Sequence, residues 1–324
     1  MHRQEWEGQR LAVISPVFND WVCARDLVSS LAATAHNLPP MRIYLINDGS
    51  TDIPDFSREE WRSAFIGLSI IHTGANLGHQ RAIAVGLAAA VQDDENDILA
   101  VIDADGEDDP ADMGKLLGSL AQDSNTVVVA KRQERTETFR FRLFYRIYRL
   151  LFRVLTGRPL DFGNYCVMRR AAAERLLYMP ELWNHFPATL MRSRLQIHKV
   201  PLARKPRYHG SSRMNFVSLV NHGLAAVAAF SDVVFARLLI AVSALSALVL
   251  AAGATVVSIR FASSLAIPGW ATAASGFVVL ALFQLLALLA LMTFIQLSTR
   301  SNIPPTPRVA ASQYTKSMTE VLRP

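Results

Sequence analysis

Cysteine is nearly absent from this sequence. Cys23 and Cys166 are the only two in 324 residues, far apart and in no CxxC pair. That excludes a disulfide framework and a thiolate zinc site. No GxGxxG follows the first apolar run, which argues against a nicotinamide or flavin enzyme. The opening MHRQEWEGQRLAVISPVF lacks the long apolar core of a signal peptide, so the soluble part is expected to stay in the cytosol. Charge is missing from one long stretch: between Asn215 and Ser298 only Asp232, Arg237 and Arg260 carry any. The formal net charge of +6 comes with no nucleic-acid-binding motif. Much of it lies beside the uncharged stretch, where anionic lipid is the nearer partner, so no nucleic acid is expected.

Two apolar runs fill the charge-poor region. Phe235 to Ile259 is interrupted only by Arg237, and Leu265 to Leu297 has no charge at all. About 20 helical residues cross a bilayer core, so each run is long enough for one span. Trp270 suits an interfacial anchor. Arg204 to Arg213 and Arg237 precede the first span, Arg300 follows the second, and the connection has only Arg260. The positive-inside bias therefore puts the soluble domain and both termini in the cytosol. The expected organisation is a soluble domain over 1–215, a juxtamembrane amphipathic region over 216–234, spans over 235–259 and 265–297, and a cytosolic tail over 298–324. Three prolines, Pro304, Pro305 and Pro307, open that tail. It is expected to be either loosely ordered or laid against the soluble domain.

The soluble part alternates strand and helix. Strands are expected at Leu11 to Phe18, Arg42 to Ile46, Leu68 to His72, Ile98 to Ile102 and Thr126 to Ala130. Helices are expected at Ala24 to Ala35 and Gln80 to Ala90. This spacing predicts an α/β fold with a predominantly parallel sheet covered on both faces. Arg142, Arg146, Arg149 and Arg153 recur every three or four residues within Phe139 to Leu155. They make a basic helix face suited either to lipid headgroups or to solvent.

The polar clusters fall at the carboxyl ends of the strands, where such sheets bind ligands. Asp103 and Asp105 follow Ile98 to Ile102, and an extended i, i+2 pair aims both carboxylates the same way. Hard oxygen ligands of this kind suit Mg²⁺ or Mn²⁺, which bridge phosphate oxygens. The plainer alternative is a solvated acidic turn, since Glu107, Asp108 and Asp109 extend the run. Asp48-Gly49-Ser50 is either a turn or a nucleoside contact in which Asp48 accepts from ribose or base. Asn76-Leu-Gly78 either caps the next helix or lines a nucleotide pocket.

These segments, in order, resemble the inverting family 2 glycosyltransferases, whose donor domain is called GT-A. The resemblance rests on Pro16-Val-Phe-Asn19, Asn47-Asp-Gly-Ser50, Asn76-x-Gly78-x-x-x-Ala82-x-x-x-Gly86 and Asp103-Ala-Asp105-Gly-Glu-Asp-Asp-Pro110. Two further segments resemble the polyprenyl- and dolichyl-phosphate branch: Asp161-Phe-Gly-Asn-Tyr-Cys-Val-Met-Arg169 and Arg204-x-x-Arg207-x-x-Gly210-x-Ser212-Arg213. Asp20 stands where that family usually has Glu, Asn47 replaces an Asp, Asn164 replaces an acid, and Arg213 replaces a Lys.

The resemblance implies transfer of a sugar from a nucleotide-diphosphate sugar to polyprenyl phosphate at the cytosolic face of the bacterial inner membrane. Pro16, Phe18, Asp20, Asp48, Asn76, Asp103 and Asp105 would bind the donor, with UDP favoured over GDP. Asp105 and Asp103 would hold a divalent Mg²⁺ or Mn²⁺. Asp161 would act at the reacting centre, while Arg204, Arg207, Ser212 and Arg213 would meet the acceptor phosphate or the diphosphate. Small residues in the spans allow a homo-oligomer. Two other functions remain open: a related transferase acting on polysaccharide or protein, and a non-catalytic membrane scaffold that keeps the fold.

Overall fold

The structure is a computed structural model. It describes residues 6, 8–52, 56, 61–132, 139–210, 216–262, 269–301 and 304–322. The chain divides into two compact units. One comprises Met1–Leu150, Pro159–Ala229 and Pro305–Pro324; the other comprises Leu151–Arg158 and Phe230–Pro304.

In the first unit, β1 (Leu11–Val17), α1 (Trp21–Thr34), β2 (Met41–Asn47), β3 (Gly67–Thr73), α2 (His79–Gln92) and β4 (Ile98–Val101) follow one another as the apolar pattern predicts. Next come α3 (Met113–Gly118), β5 (Thr126–Arg132), α4 (Phe139–Thr156), β6 (Phe162–Arg169), α5 (Arg170–Leu177), α6 (Phe186–Arg192) and β7 (Gln196–Leu202). After α7 (Phe216–Ala228) the chain runs through α8 (Ser231–Ala262) and α9 (Trp270–Ser301). It then returns as α10 (Pro307–Tyr314) and β8 (Thr315–Leu322).

Among the described residues the sheet has eight strands, in the order β7-β5-β6-β4-β1-β2-β3-β8. It is mixed rather than simply parallel, because β6 runs against β4 and β5, and β8 against β3. The sequence pattern misses β6, β7 and β8 for separate reasons. β6 opens on Phe-Gly-Asn, poor strand formers at its second and third positions. β7 is largely unburied and carries Pro201, as an edge strand can. β8 is polar and mostly exposed.

Every residue of β1 is buried. α2 lies close across this part of the sheet. A Cβ on Gly86 would come within 2.4 Å of Ile14 Cγ2 and 2.9 Å of Ile46 Cγ1. The small residue is therefore set by helix–sheet packing. Residues 305–322 of the tail are ordered against the first unit. Ala310 and Ala311 of α10 are buried, Trp183 Nε1 donates to Pro305 O at 2.9 Å, and β8 closes the sheet beside β3.

The second unit is dominated by α8 and α9, which are long and apolar enough to cross a membrane, with nothing buried in their most apolar windows. A soluble core helix would be buried, so the exposure supports a membrane location. A Cβ on Gly253 of α8 would stand 2.9 Å from Val278 Cγ1 of α9, so the two helices pack directly on each other. Arg237 Nη1 donates to Val154 O at 2.5 Å, meeting one of the last carbonyls of α4. In the second half of α4, Arg146, Arg149 and Arg153 are exposed, and so are Leu150, Leu151 and Val154.

Candidate active site

The strand order reverses at β1, which lies between β4 and β2. Its pairing with β4 stops at Ile14 opposite Val101, whereas its pairing with β2 continues to Val17. Pro16 falls just past the last β4 pair, on the side where its missing N–H leaves no ladder bond unmade. β4 ends there while β1 runs on beside β2, so the change in strand order falls at the carboxyl ends of the strands, the usual ligand position in such sheets.

Asp103 lies two residues past the end of β4. Its carboxylate accepts from Asn164 Nδ2 at 3.2 and 3.3 Å, and His79 Nε2 lies 3.1 Å from Oδ1. The antiparallel course of β6 brings Asn164 there. Gln80 Nε2 donates to Asn164 Oδ1 at 3.3 Å, and Gln80 Oε1 accepts from Phe186 N at 2.6 Å. Desolvation opposes protonation of His79, but Asp103, with smaller contributions from Asp105 and Asp48, outweighs it and raises the pKa. His79 and Gln80 were not among the residues the sequence singled out. Their only signal is their position directly after the Asn76-x-Gly78 motif.

Asp105 accepts from Glu107 N at 3.0 Å. Burial raises its pKa first, and Asp103 and Glu107 raise it further, because carboxylates crowd one small volume. Residues 204–209 lie over this acidic loop. Lys205 N donates to Glu107 O and Tyr208 N to Asp105 O, both at 2.9 Å. Arg204 pairs with Glu107. Arg207 pairs with Asp20 through Nη2 and reaches Asp105 Oδ2 through Nη1 at 3.4 Å. Arg204, Lys205 and Arg207, which precede the apolar runs in sequence, are thus paired with carboxylates of this loop and of Asp20.

The second cluster sits at the ends of β2 and β3. Asp48 is buried, and its oxygens accept from Leu77 N at 2.7 Å and Gly78 N at 2.9 Å. Burial raises its pKa against the pull of those two amides. Gly49, at φ +73°, lies so near the Ala75–Asn76 backbone that a Cβ would meet Asn76 N at 2.6 Å. The close approach that requires glycine is therefore to the chain itself. Asn76 does not cap α2: the cap position is Gly78, without a side-chain hydrogen bond, and Asn76 is exposed. Asn19 Oδ1 accepts from Thr51 N at 2.9 Å, and Asn19 N donates to Ser50 Oγ at 2.9 Å, tying the β1 loop to this turn. Phe18 in that loop is exposed. A cleft of about 420 Å³ opens here, lined by Asn47, Gly49, Ser50, residues 72–75, Lys316 and Ser317.

Asp161 immediately precedes β6, and its Oδ1 receives Lys199 Nζ at 2.7 Å. Ser212 and Arg213 lie outside the described residues.

The profile described as Glycosyl transferase family 2 matches residues 12–177, just over half the chain. The chain belongs to that family. Among relatives of this family 2 glycosyltransferase is an undecaprenyl-phosphate 4-deoxy-4-formamido-L-arabinose transferase of an Enterobacter species, 24% identical over 221 residues. The match covers 65% of this chain and 64% of the relative, so it spans somewhat less than two thirds of that protein. An uncharacterised glycosyltransferase of Synechocystis is 22% identical over 229 residues, 68% of this chain and 69% of its own. Mycobacterium tuberculosis glucosyl-3-phosphoglycerate synthase, crystallised with Mn²⁺, UDP and phosphoglyceric acid, shares the fold. Its TM-score is 0.50 at 16% identity, over 72% of this chain and 81% of that one.

Among the described residues, no group of three or more His, Cys, Asp and Glu side chains is arranged to hold a metal ion. Asp103 and Asp105 nevertheless offer two interacting carboxylates of the kind a hard divalent cation takes. Mg²⁺ commonly takes one or two carboxylates and completes its shell from phosphate and water. Burial and, after it, the neighbouring carboxylates raise the Asp105 pKa, and a cation there would offset both.

Proposed function

We propose that this enzyme transfers a sugar, with inversion, from a nucleoside-diphosphate donor to the phosphate of a polyprenyl lipid at the cytosolic face of the bacterial inner membrane. The observation that carries this reading is the Asp103–Asp105 strand end, held by Asn164 and overlaid by Arg207, in a family 2 chain with two exposed apolar helices. The Enterobacter relative is named for an undecaprenyl-phosphate acceptor, which supports the choice of lipid.

Asp103 and Asp105 would hold a Mg²⁺ or Mn²⁺ ion, which when bound supplies neutralisation of the diphosphate. The carboxylate of Asp103 is kept in place by Asn164, whose amide is itself oriented by Gln80. The acceptor phosphate oxygen attacks the anomeric carbon from the face opposite the diphosphate. The new carbon–oxygen bond forms as the old one breaks, and the nucleoside diphosphate leaves with the electron pair. A phosphate monoester is already an oxyanion near neutral pH, so Asp161 serves more to position the acceptor than to remove a proton. Arg207, which reaches Asp105, would meet the reacting phosphates, and Arg204, Ser212 and Arg213 would add charge and hydrogen-bond donors for them. Phe18, Asp20, Asp48 and Asn76 border the donor side. UDP is the favoured nucleotide.

α8 and α9 form the paired spans, with the soluble unit and both termini in the cytosol. The deciding test incubates purified protein with polyprenyl phosphate and a panel of nucleotide sugars and identifies the product by mass. A glycosylated lipid phosphate is expected. Transfer only to a polysaccharide or protein would move the enzyme to another branch, and no transfer to any acceptor would leave a scaffold.

A further inference from the structure

The cleft beside the Asp48 turn is completed by residues from the far end of the chain. β8 pairs with β3 in a register that sets His72 opposite Ser317 but Thr73 opposite Thr315. The shift leaves Lys316 as the extra residue of a β-bulge. Bulges re-aim a side chain and recur beside active sites, and Lys316 lines the cleft.

The bulge is held in place from both sides. Gly74 N donates to Tyr314 O at 3.0 Å just before it. Past it, His72 Nε2 and Thr319 Oγ1 are 3.1 Å apart. His72 Nδ1 meets Asn47 Nδ2 at 3.0 Å, while Asn47 Oδ1 accepts from Ser50 N at 3.0 Å. The Ser50 contact fixes which end of the Asn47 amide faces His72. Nδ1 is then the acceptor, and Nε2 carries the proton to Thr319. An asparagine at position 47 therefore links the nucleotide-side turn to the tail strand through a neutral imidazole. Thr73 spends its hydroxyl on the carbonyls of Asn47 and Ala75, at 3.1 and 2.7 Å.

We propose that the carboxy-terminal strand is part of the donor site. Lys316 donates to a carbonyl oxygen of the nucleobase and so selects uracil- or guanine-containing donors over those presenting an amino group at that edge. The proposal rests on the sugar-transferase reading. Its chemistry is that of the ammonium, which offers three donors and no acceptor. A ring carbonyl satisfies it. The amino group of adenine or cytosine would bring donor against donor, a repulsive element of the kind that specificity requires. The cleft volume lies in the range of small-molecule sites, about 300–1,000 Å³. The strand that completes it follows α8 and α9 in sequence, so the donor site is finished only by chain beyond the apolar helices.

The test measures affinities of the full-length, detergent-solubilised protein for UDP, GDP, CDP and ADP, in wild type, Lys316→Ala and Lys316→Glu. Wild type should favour UDP or GDP. Lys316→Ala should weaken that preferred nucleotide roughly five- to tenfold, the scale of one charge-assisted hydrogen bond, and leave CDP and ADP nearly unchanged. Lys316→Glu should weaken it further. An unchanged melting temperature would show that β8 is still docked. Wild-type affinities in both variants, or a wild type that prefers CDP or ADP, would overturn the proposal. Sugar transfer with unaltered donor choice in Lys316→Ala would remove the strand's role alone. A wild type that binds no nucleoside diphosphate would overturn the transferase reading as well.

Discussion

The ring of Tyr208 lies directly against Gly106. A Cβ at position 106 would come within 2.3 Å of Tyr208 Cδ2, on a backbone held at φ +81°. Gly106 separates Asp105 from Glu107, and Tyr208 N is bonded to Asp105 O. The acidic strand end and the basic segment over it are therefore one packed object, with the ring as its keystone.

Gly106→Ala should disturb the Asp105 carboxylate more than the fold. Left-handed strain costs about 1–3 kcal/mol, and the contact adds a steric term that the ring must relieve by moving. A modest fall in melting temperature with a much larger loss of transfer rate is expected. The double variant Gly106→Ala, Tyr208→Ala removes the clash and should recover part of the stability. Equal losses of rate and stability would show that the glycine matters only for folding.

Removal of divalent cations should abolish transfer and weaken nucleotide binding. Asp105→Ala should lower turnover by about 10²-fold or more, a typical cost of losing a charge-stabilising group in an active site. Assays in excess chelator, on protein shown to be metal-free, check the first point. Full activity in chelator would take the metal out of the reaction.

The residues proposed for the donor side were legible because they are local: Asp48 and Asp103 closely follow apolar strands and Asp105 lies in the turn just beyond, so the pattern that predicts the strand also marks the candidates. What stayed hidden depends on chain reversal. Asn164 reaches Asp103 only because β6 runs antiparallel to β4, and Phe-Gly-Asn reads as a loop. Lys316 reaches the cleft only through a bulge in an exposed polar strand with weak periodicity. Arg204 and Arg207 resembled a membrane flank because charge in sequence does not identify its partner. Their carboxylates, on Glu107, Asp20 and Asp105, lie some hundred residues or more away.

Arg207→Gln separates the two phosphates that this arginine could serve. With the acceptor reading, apparent acceptor KM rises roughly ten- to a hundredfold, the equivalent of about 1.5–3 kcal/mol, while donor affinity holds. Asp161→Asn should lower kcat with both substrates still bound. Titrating acceptor at saturating donor, beside direct nucleotide binding, resolves these effects. Lost nucleotide affinity with normal acceptor kinetics would assign Arg207 to the donor diphosphate.

Acid should destabilise the soluble unit through His185. Its Nδ1 accepts from Ala188 N at 3.2 Å, and its Nε2 lies 3.1 Å from His222 Nε2. Burial, with His222 beside it, pushes its pKa down from 6.5 to about 3. The unfolded chain binds this proton below about pH 6.5 and the folded chain does not, so stability is lost as pH falls through that point. The slope from one such group is at most about 1.4 kcal/mol per pH unit. Asp48 and Asp105 have raised pKa values and act in the opposite sense, so the diagnostic is a difference between proteins. His185→Asn, which can still cap α6, should flatten the fall in melting temperature between pH 6.5 and 5. Identical profiles would show that His185 is not the titrating group.

The apolar hairpin should cross the membrane twice and return the tail to the side of the soluble unit. Two features require it together. α8 and α9 are each long and apolar enough to span, and β8, which follows them, is hydrogen-bonded to β3, which precedes them. A single crossing would strand β8 on the wrong side of the bilayer from its partner. Thiol mapping suits this protein, because both native cysteines are buried and their pKa values are raised, Cys23 to about 11. A cysteine in place of Ser264, in the 263–268 connection, should react with an impermeant maleimide from outside intact cells. A cysteine in place of the exposed Ser312 should react only in inverted vesicles. Labelling of both from the same side would leave the hairpin lying on the membrane surface, and release of intact protein by carbonate would say the same.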